Sequence, residues 1–243
     1  MDPLVYRKLI EQEESLWWFR ARRAVSWALL NRIQLPANPA ILEAGCGSGG
    51  NLPMLSRLGD VYGFEPEDAV RNTAQARAIG HVAPGKLPNP IPFEGKNFDL
   101  IALFDVLEHT DDDRAALSSL VSRLNPGGSM FLTVPAFQRL FSPHDTLHHH
   151  HRRYSRSELM TKIENAGLKV ELITYWNFFL FPVAVAVRFA SILGLTKNQT
   201  PGSKMPPGIV NTMLFWLSSS ERYLIPCIRL PFGLSLMVIA RKL

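Results

Sequence analysis

Residues 41–52 read ILEAGCGSGGNL: Ile41, Leu42, Glu43 and Ala44 run into four glycines within six positions, and Asn51-Leu52 open a further apolar stretch. That is the pattern of a buried strand passing through a tight turn into a helix. Gly45, Gly47 and Gly50 fit the spacing G-x-G-x-x-G, in which glycines let the backbone approach a ligand closely. Glu65, at the end of the next apolar run, lies 20 residues beyond Gly45, where an acid can accept ribose hydroxyls.

Outward from this turn, short apolar runs alternate with helical stretches: AILEAG from Ala40, VYGFEP from Val61, HVAPG from His81, FDLIALF from Phe98, GSMFLTVP from Gly128, LKVELITYW from Leu168 and GLSLMVIARK from Gly233. Strands separated by helices predict βαβ units and a mostly parallel sheet covered on both faces. Residues 4–33 are helical in pattern, with Trp17, Ala21, Ala24 and Ala28 on one stripe and Val25 and Leu29 beside it, before NRIQLPANP ends the helix.

The chain has 243 residues, is 47% hydrophobic and 19% charged, and carries 26 Lys+Arg against 21 Asp+Glu, a formal charge of +5. This composition excludes disorder as the dominant state. Two cysteines, Cys46 and Cys227, supply neither a disulfide framework nor a cysteine-rich zinc site, which points to a reducing compartment. The N-terminal residues show no secretory pattern, so cytoplasmic residence is expected. Basic residues cluster only at Arg20, Arg22, Arg23 and at Arg152, Arg153, Arg156, which reads as a solvated face rather than a nucleic-acid surface.

Glu43 separates the ligand classes that a glycine turn can serve. It stands two residues before Gly45, where a pyrophosphate would bring negative charge against a carboxylate. S-adenosylmethionine carries an ammonium and a sulfonium, has no phosphates, and still presents a ribose diol to Glu65. The residues favour this cofactor, with S-adenosylhomocysteine as its product, over NAD.

With ILEAGCGSGG, GFEP at 63–66, FDLIALFDVLEH and LNPGGSMFLTVP in hand, the chain resembles the class I S-adenosylmethionine-dependent methyltransferases. More narrowly it resembles a bacterial small-molecule subfamily with an N-terminal WWF helix, here ESLWWFRARR, and an HD…HxRRY loop, here HDTLHHHHRRY. The resemblance implies an α/β, Rossmann-like, doubly wound sheet of seven mostly parallel strands with the last antiparallel. It implies three parts: an N-terminal helical lid at 1–35, a cofactor-binding core at 36–176 and 231–243, and an apolar helical insertion at 177–230. Glu43, Gly45, Cys46 and Gly47 would line the methionine end, Glu65 and Pro66 the ribose, and Lys86 and Leu87, after Gly85, the adenine. Phe104 and Asp105 would close over the cofactor, with Trp18 and Arg22 folding across from the arm. Cys46 reads as a small filler rather than a nucleophile.

Methyl transfer from a sulfonium is an in-line displacement from an already activated donor, so holding the acceptor in line matters most. A hydroxyl or ammonium acceptor also needs a base. His144 or His150, with Asp145 orienting it, is the expected base, and Glu108 and His109 offer a second cluster after the fourth strand. Some relatives with an E-x-x-E-H version use magnesium there; here Asp105 replaces the first Glu, and hydrogen bonding or base catalysis is preferred to a metal. Arg152, Arg153 and Tyr154 either brace the loop or bind an anionic group on the substrate, and Trp176 is a further substrate-side candidate.

The stretch WNFFLFPVAVAVRFASILGL, then a Pro/Gly-rich link and an apolar helix over about 209–226, admits three readings: helices capping an apolar substrate pocket, an in-plane membrane contact, or a span. Arg188 and Pro182 argue against a span. The expected partner is a small molecule with an apolar portion, for a monomer or homodimer that is cytoplasmic or peripherally membrane-associated. FDVLEH is not the Asn/Asp-Pro-Pro-aromatic set that grips a flipped base. The alternatives are a cofactor-binding, membrane-associated module without turnover and an NAD-linked oxidoreductase.

Overall fold

The computed structural model describes residues 10–192 and 205–243. Seven segments form one sheet whose central strands carry buried apolar side chains on both faces: β1 (Ala40–Ala44), β2 (Asp60–Phe64), β3 (His81–Ala83), β4 (Phe98–Phe104), β5 (Leu124–Pro135), β6 (Leu168–Trp176) and β7 (Ser235–Lys242). Their order is β3-β2-β1-β4-β5-β7-β6. Only β7 runs against its neighbours, pairing antiparallel with β5 and with β6. The chain builds outward from β1 to β3 and then returns to β4 on the other side, so the crevice where doubly wound sheets bind ligands opens beyond β1 and β4. There Glu43 stands level with Ala102, and the glycine turn begins two residues later at Gly45.

The helices are α1 (Trp17–Leu30), α2 (Leu52–Leu55), α3 (Asp68–Ala76), α4 (Asp113–Ser122), α5 (Pro143–Leu147), α6 (Arg156–Asn165), α7 (Phe181–Ile192) and α8 (Gly208–Ser220). The helix expected over 4–33 differs in two ways. It is interrupted by a turn at residues 13–16, where tertiary partners take the backbone groups: Asn211 Oδ1 accepts from Trp17 N at 2.9 Å, and Asn211 Nδ2 donates to Ser15 O at 2.9 Å. Its buried face is also rotated, so that Ala21, Val25, Leu29 and Leu30 are fully buried while Trp17, Ala24 and Ala28 are half-buried.

Within 177–230, the second apolar helix stops at Ser220, short of the expected 226. Ser219 and Ser220 turn their hydroxyls back to the carbonyls of Trp216 and Leu217 at 3.3 and 2.7 Å, a bond that competes with helix continuation. Among the described residues no helix is long and apolar enough to cross a membrane, which removes the spanning reading for them. The link residues Pro201 and Gly202 and the side chain of Arg188 lie outside the described residues.

After β5 the chain loops out through α5 and returns, and Ala136 bridges Tyr154. Tyr154 is fully buried, and its hydroxyl donates to Asp113 Oδ2 at 3.0 Å. Asp113 also receives Lys162 Nζ at 2.9 Å and Arg152 Nη1 at 3.1 Å, so one carboxylate at the start of α4 ties down the loop and α6. Removing one bond from such a buried junction costs about 1–2 kcal/mol. Tyr154→Phe is therefore expected to lower the urea-unfolding free energy by that amount while leaving cofactor affinity unchanged. Weaker cofactor binding at unchanged stability would instead place the hydroxyl at the ligand.

Candidate active site

The glycine turn bends sharply under β4. Gly45 has φ +67°, and a Cβ there would lie 2.9 Å from Val106, so neither the conformation nor the space admits a side chain. Glu43 is buried just before the turn; its Oε1 accepts from Asn51 Nδ2 at 2.8 Å, and no partner reaches Oε2. Burial raises its pKa to about 8. A buried carboxylate oxygen without a donor at the mouth of a glycine turn fits the ammonium of S-adenosylmethionine. Glu65 follows β2, with Oε2 accepting from Gly47 N at 3.1 Å and Oε1 from Glu67 N at 3.2 Å. Burial also raises its pKa. Cys46 is buried and its thiol pKa is raised by burial, which suits a packing role. Pro66 and Lys86 are exposed beyond β2 and β3, whereas Leu87 is buried.

One residue at this turn went unread in the sequence. Glu13 reaches from the break before α1 to accept from Gly50 N at 3.1 Å, and it also bonds the Ser48 hydroxyl and Arg77 Nη2, the latter at 3.2 Å. A Cβ on Gly50 would overlap the Glu13 carboxyl at 2.0 Å, so a side chain there would displace Glu13 from its present position. An acid within EQEE, 37 positions from its partner, gives no local signal.

The arm also reaches the end of β4. Arg22 forms an ion pair with Asp105, and its guanidinium lies 4.7 Å from the centre of the Trp18 ring and 5.4 Å from that of Phe104. Trp18 in turn lies 5.9 Å from Trp176, which is fully buried and donates from Nε1 to Ser218 O at 3.4 Å. Asp105 is thus committed to Arg22 rather than to a set with Glu108 and His109.

Glu108 and His109 meet His150 instead. Ligand atoms of the three lie within 4.8 Å of one another, and both oxygens of the fully buried Glu108 lack partners. Burial, then the nearby Asp105 charge, holds the Glu108 pKa well above its usual value. Burial and His150 lower His109 to about 4, so it is neutral. Two imidazoles and one carboxylate do not fit magnesium, which takes oxygen ligands.

His150 Nδ1 lies 3.0 Å from Asp145 Oδ1. Asp145 is fully buried and also receives Arg153 Nη2 at 2.7 Å and Ser142 N and Oγ at 2.9 Å. Burial alone would raise the Asp145 pKa, but the bonds from His150, Arg153 and Ser142 hold it well below the usual range. The side chain of His144 lies outside the described residues. Arg153 further donates to Ala136 O at 3.2 Å, and Arg152 to Asp111 O at 2.8 Å. With Tyr154 on Asp113, these three residues have partners inside the fold, as the bracing alternative requires.

Beyond the ends of β5 and β6 lies an aromatic group that includes Phe137, which was also unread. It stacks on Tyr175 at 5.2 Å and meets Phe181 at 5.5 Å, and Phe232 joins Phe178 at 4.6 Å.

Residues 17–173 match the methyltransferase domain family. A Mycolicibacterium smegmatis protein named as an S-adenosylmethionine-dependent methyltransferase is 31% identical over 166 residues, covering 65% of this chain and 62% of the relative. The ubiquinone biosynthesis O-methyltransferase of Methylobacterium nodulans is 28% identical over 150 residues, 54% of this chain and 60% of that protein. The chain thus spans about six-tenths of the length of these curated relatives. In fold it is similar to an S-adenosylmethionine-dependent methyltransferase from Thermotoga maritima, with a TM-score of 0.61 at 18% identity over 98% of this chain and 97% of that one. These relatives lend no support to an NAD-linked oxidoreductase. With nearly two-thirds of its length matched and the glycine turn, buried Glu43 and doubly wound sheet in place, the chain belongs to the methyltransferase domain family, in its class I, S-adenosylmethionine-dependent form.

Proposed function

We propose that this protein methylates a hydroxyl on a small molecule with an apolar portion, and that His150 removes the hydroxyl proton. The observation that carries the reading is the His150–Asp145 pair. Its imidazole is held through Nδ1 by a carboxylate that three donor groups keep ionised, which leaves Nε2 to accept a proton. The neighbouring His109, lowered to about 4, is neutral, and burial pushes Glu108 toward its protonated form. The imidazolium formed is stabilised by Asp145. The aromatic group around Phe137 and Phe181 supports an apolar acceptor, and the O-methyltransferase among the relatives supports oxygen as the attacked atom.

S-adenosylmethionine supplies a methyl group on a sulfonium, which leaves as a neutral thioether when the new carbon–oxygen bond forms. The chain's part is to seat the donor's ammonium at Glu43 and its ribose at Glu65, and to exclude water. Trp18 and Arg22, drawn over the end of β4 by Asp105, and Glu13, tied to the glycine turn, support a covering role for the arm.

Two measurements check this reading. His150→Ala is expected to lower kcat by about 10²–10⁴-fold with cofactor affinity unchanged; an unaltered kcat would remove His150 as the base. Glu43, with its pKa raised to about 8, holds a proton near neutral pH in the free protein. A cation seated there favours the carboxylate, so binding releases a proton and affinity rises as pH climbs toward about 8, then levels off. Calorimetry in two buffers of different ionisation enthalpy should detect that release, and Glu43→Gln should abolish it and weaken binding about tenfold or more. Wild-type binding without proton release would place the ammonium elsewhere.

A further inference from the structure

We propose that α7, α8 and the turn after α8 form a docking face for an anionic lipid surface, whichever atom the enzyme methylates. The amphipathic pattern of α8 is reversed. Ile209, Met213 and Trp216, spaced four and three residues apart on one side, are 78%, 66% and 59% exposed, while Asn211, Ser218 and Ser219 are buried on the other. The inner side is held at two points: the Asn211 side chain joins Trp17 N and Ser15 O, and the main-chain carbonyl of Ser218 accepts from Trp176 Nε1 of β6. The Asn211 bonds hold the start of α8 against α1 and the turn before it, with Ile209, Met213 and Trp216 on the exposed side. Val183, Val187 and Phe189 of α7 add further exposed apolar surface. An apolar face of this extent is characteristic of an interaction site.

The charge pattern identifies what covers it. Among the described side chains of 177–230, the basic residues are Arg222, half-buried, and Arg229, exposed, and the one acid is Glu221; Lys197, Lys204 and the side chain of Arg188 lie outside the described residues. Glu221 is buried and accepts from Phe179 N at 3.2 Å, so it presents no negative charge outward. Apolar helices in a segment with a cationic excess are complementary to acyl chains beneath anionic headgroups. A second copy would instead bring Arg222 and Arg229 against their own counterparts. At 12 and 13 residues, α7 and α8 suit an in-plane contact rather than a span. Trp216 and Tyr223, both well exposed, carry the ring type favoured at headgroup depth.

The test mixes the full chain with phosphatidylcholine vesicles, with and without about one-third phosphatidylglycerol, and reads sedimentation and tryptophan emission. Binding to the anionic vesicles at low salt, with a blue shift, is expected, and it should weaken strongly at about 0.5 M salt. Ile209→Ser with Trp216→Ser should reduce binding about tenfold or more, while unchanged cofactor affinity shows that the variant is folded. Arg222→Glu with Arg229→Glu should remove the preference for the anionic vesicles. Absence of wild-type binding to anionic vesicles at low salt overturns the proposal, as does a dimer that the Ile209/Trp216 variant dissociates without any vesicle binding by the wild type.

Discussion

Negative charge gathered at one end of a parallel sheet is the constraint on which the site depends. The ends of β1, β2 and β4 deliver Glu43, Glu65, Asp105 and Glu108 to one region, and all but Asp105 are buried. Carboxylates in a low-dielectric environment are costly to ionise together, and burial pushes Glu43 and Glu108 toward the neutral form. The field of Arg22 acts on both of them while Arg22 pairs with Asp105. Because α1 supplies that cation, the N-terminal helix contributes counter-charge to the sheet end. A cationic ligand at Glu43, as proposed, would relieve part of the same imbalance and so couple its seat to α1 electrostatically.

Features with local causes were legible in the sequence. β4 and β6 coincide residue for residue with the runs FDLIALF and LKVELITYW, because each is a short run dense in apolar and β-branched or aromatic residues, with turn residues close by, as at Asn165-Ala166-Gly167 before β6. β5 begins at Leu124 rather than Gly128. Phe98 pairs with Leu124 and Leu100 with Ser129, so the turn-like NPGG stretch is absorbed as an irregularity within the ladder. The Asp145–His150 contact spans five positions of one loop and was readable for the same reason.

What escaped the sequence reading depends on contacts between distant segments. Glu13 at the glycine turn and Asn211 at the break before α1 are separated from their partners by 37 and 194 positions, and each is an ordinary polar residue in its own neighbourhood. Arg153 shows a related limit. A basic residue beside a histidine run suits an anionic ligand equally well, and the sequence gives no sign of the buried Asp145 that it meets.

The insertion shows why apolar content alone did not predict burial. Hydrophobicity states how much surface favours leaving water, whereas burial within the chain is decided by which side of a helix the fold can satisfy. α1 presents Trp17 N and the turn before it presents Ser15 O, two polar groups that need partners, and Asn211 answers both. Satisfying them fixes the rotation of α8, because a helix cannot turn its apolar stripe inward while the opposite stripe is bonded to the core. An unpaired buried backbone group costs about 1–3 kcal/mol, comparable to the gain from burying one large apolar side chain, roughly 1.5–3 kcal/mol. Two bonds to α1 and its turn, roughly 2–6 kcal/mol together, are of the same order as the further gain from burying the still-exposed parts of Ile209, Met213 and Trp216. The bonded side faces inward, and the apolar side stays exposed.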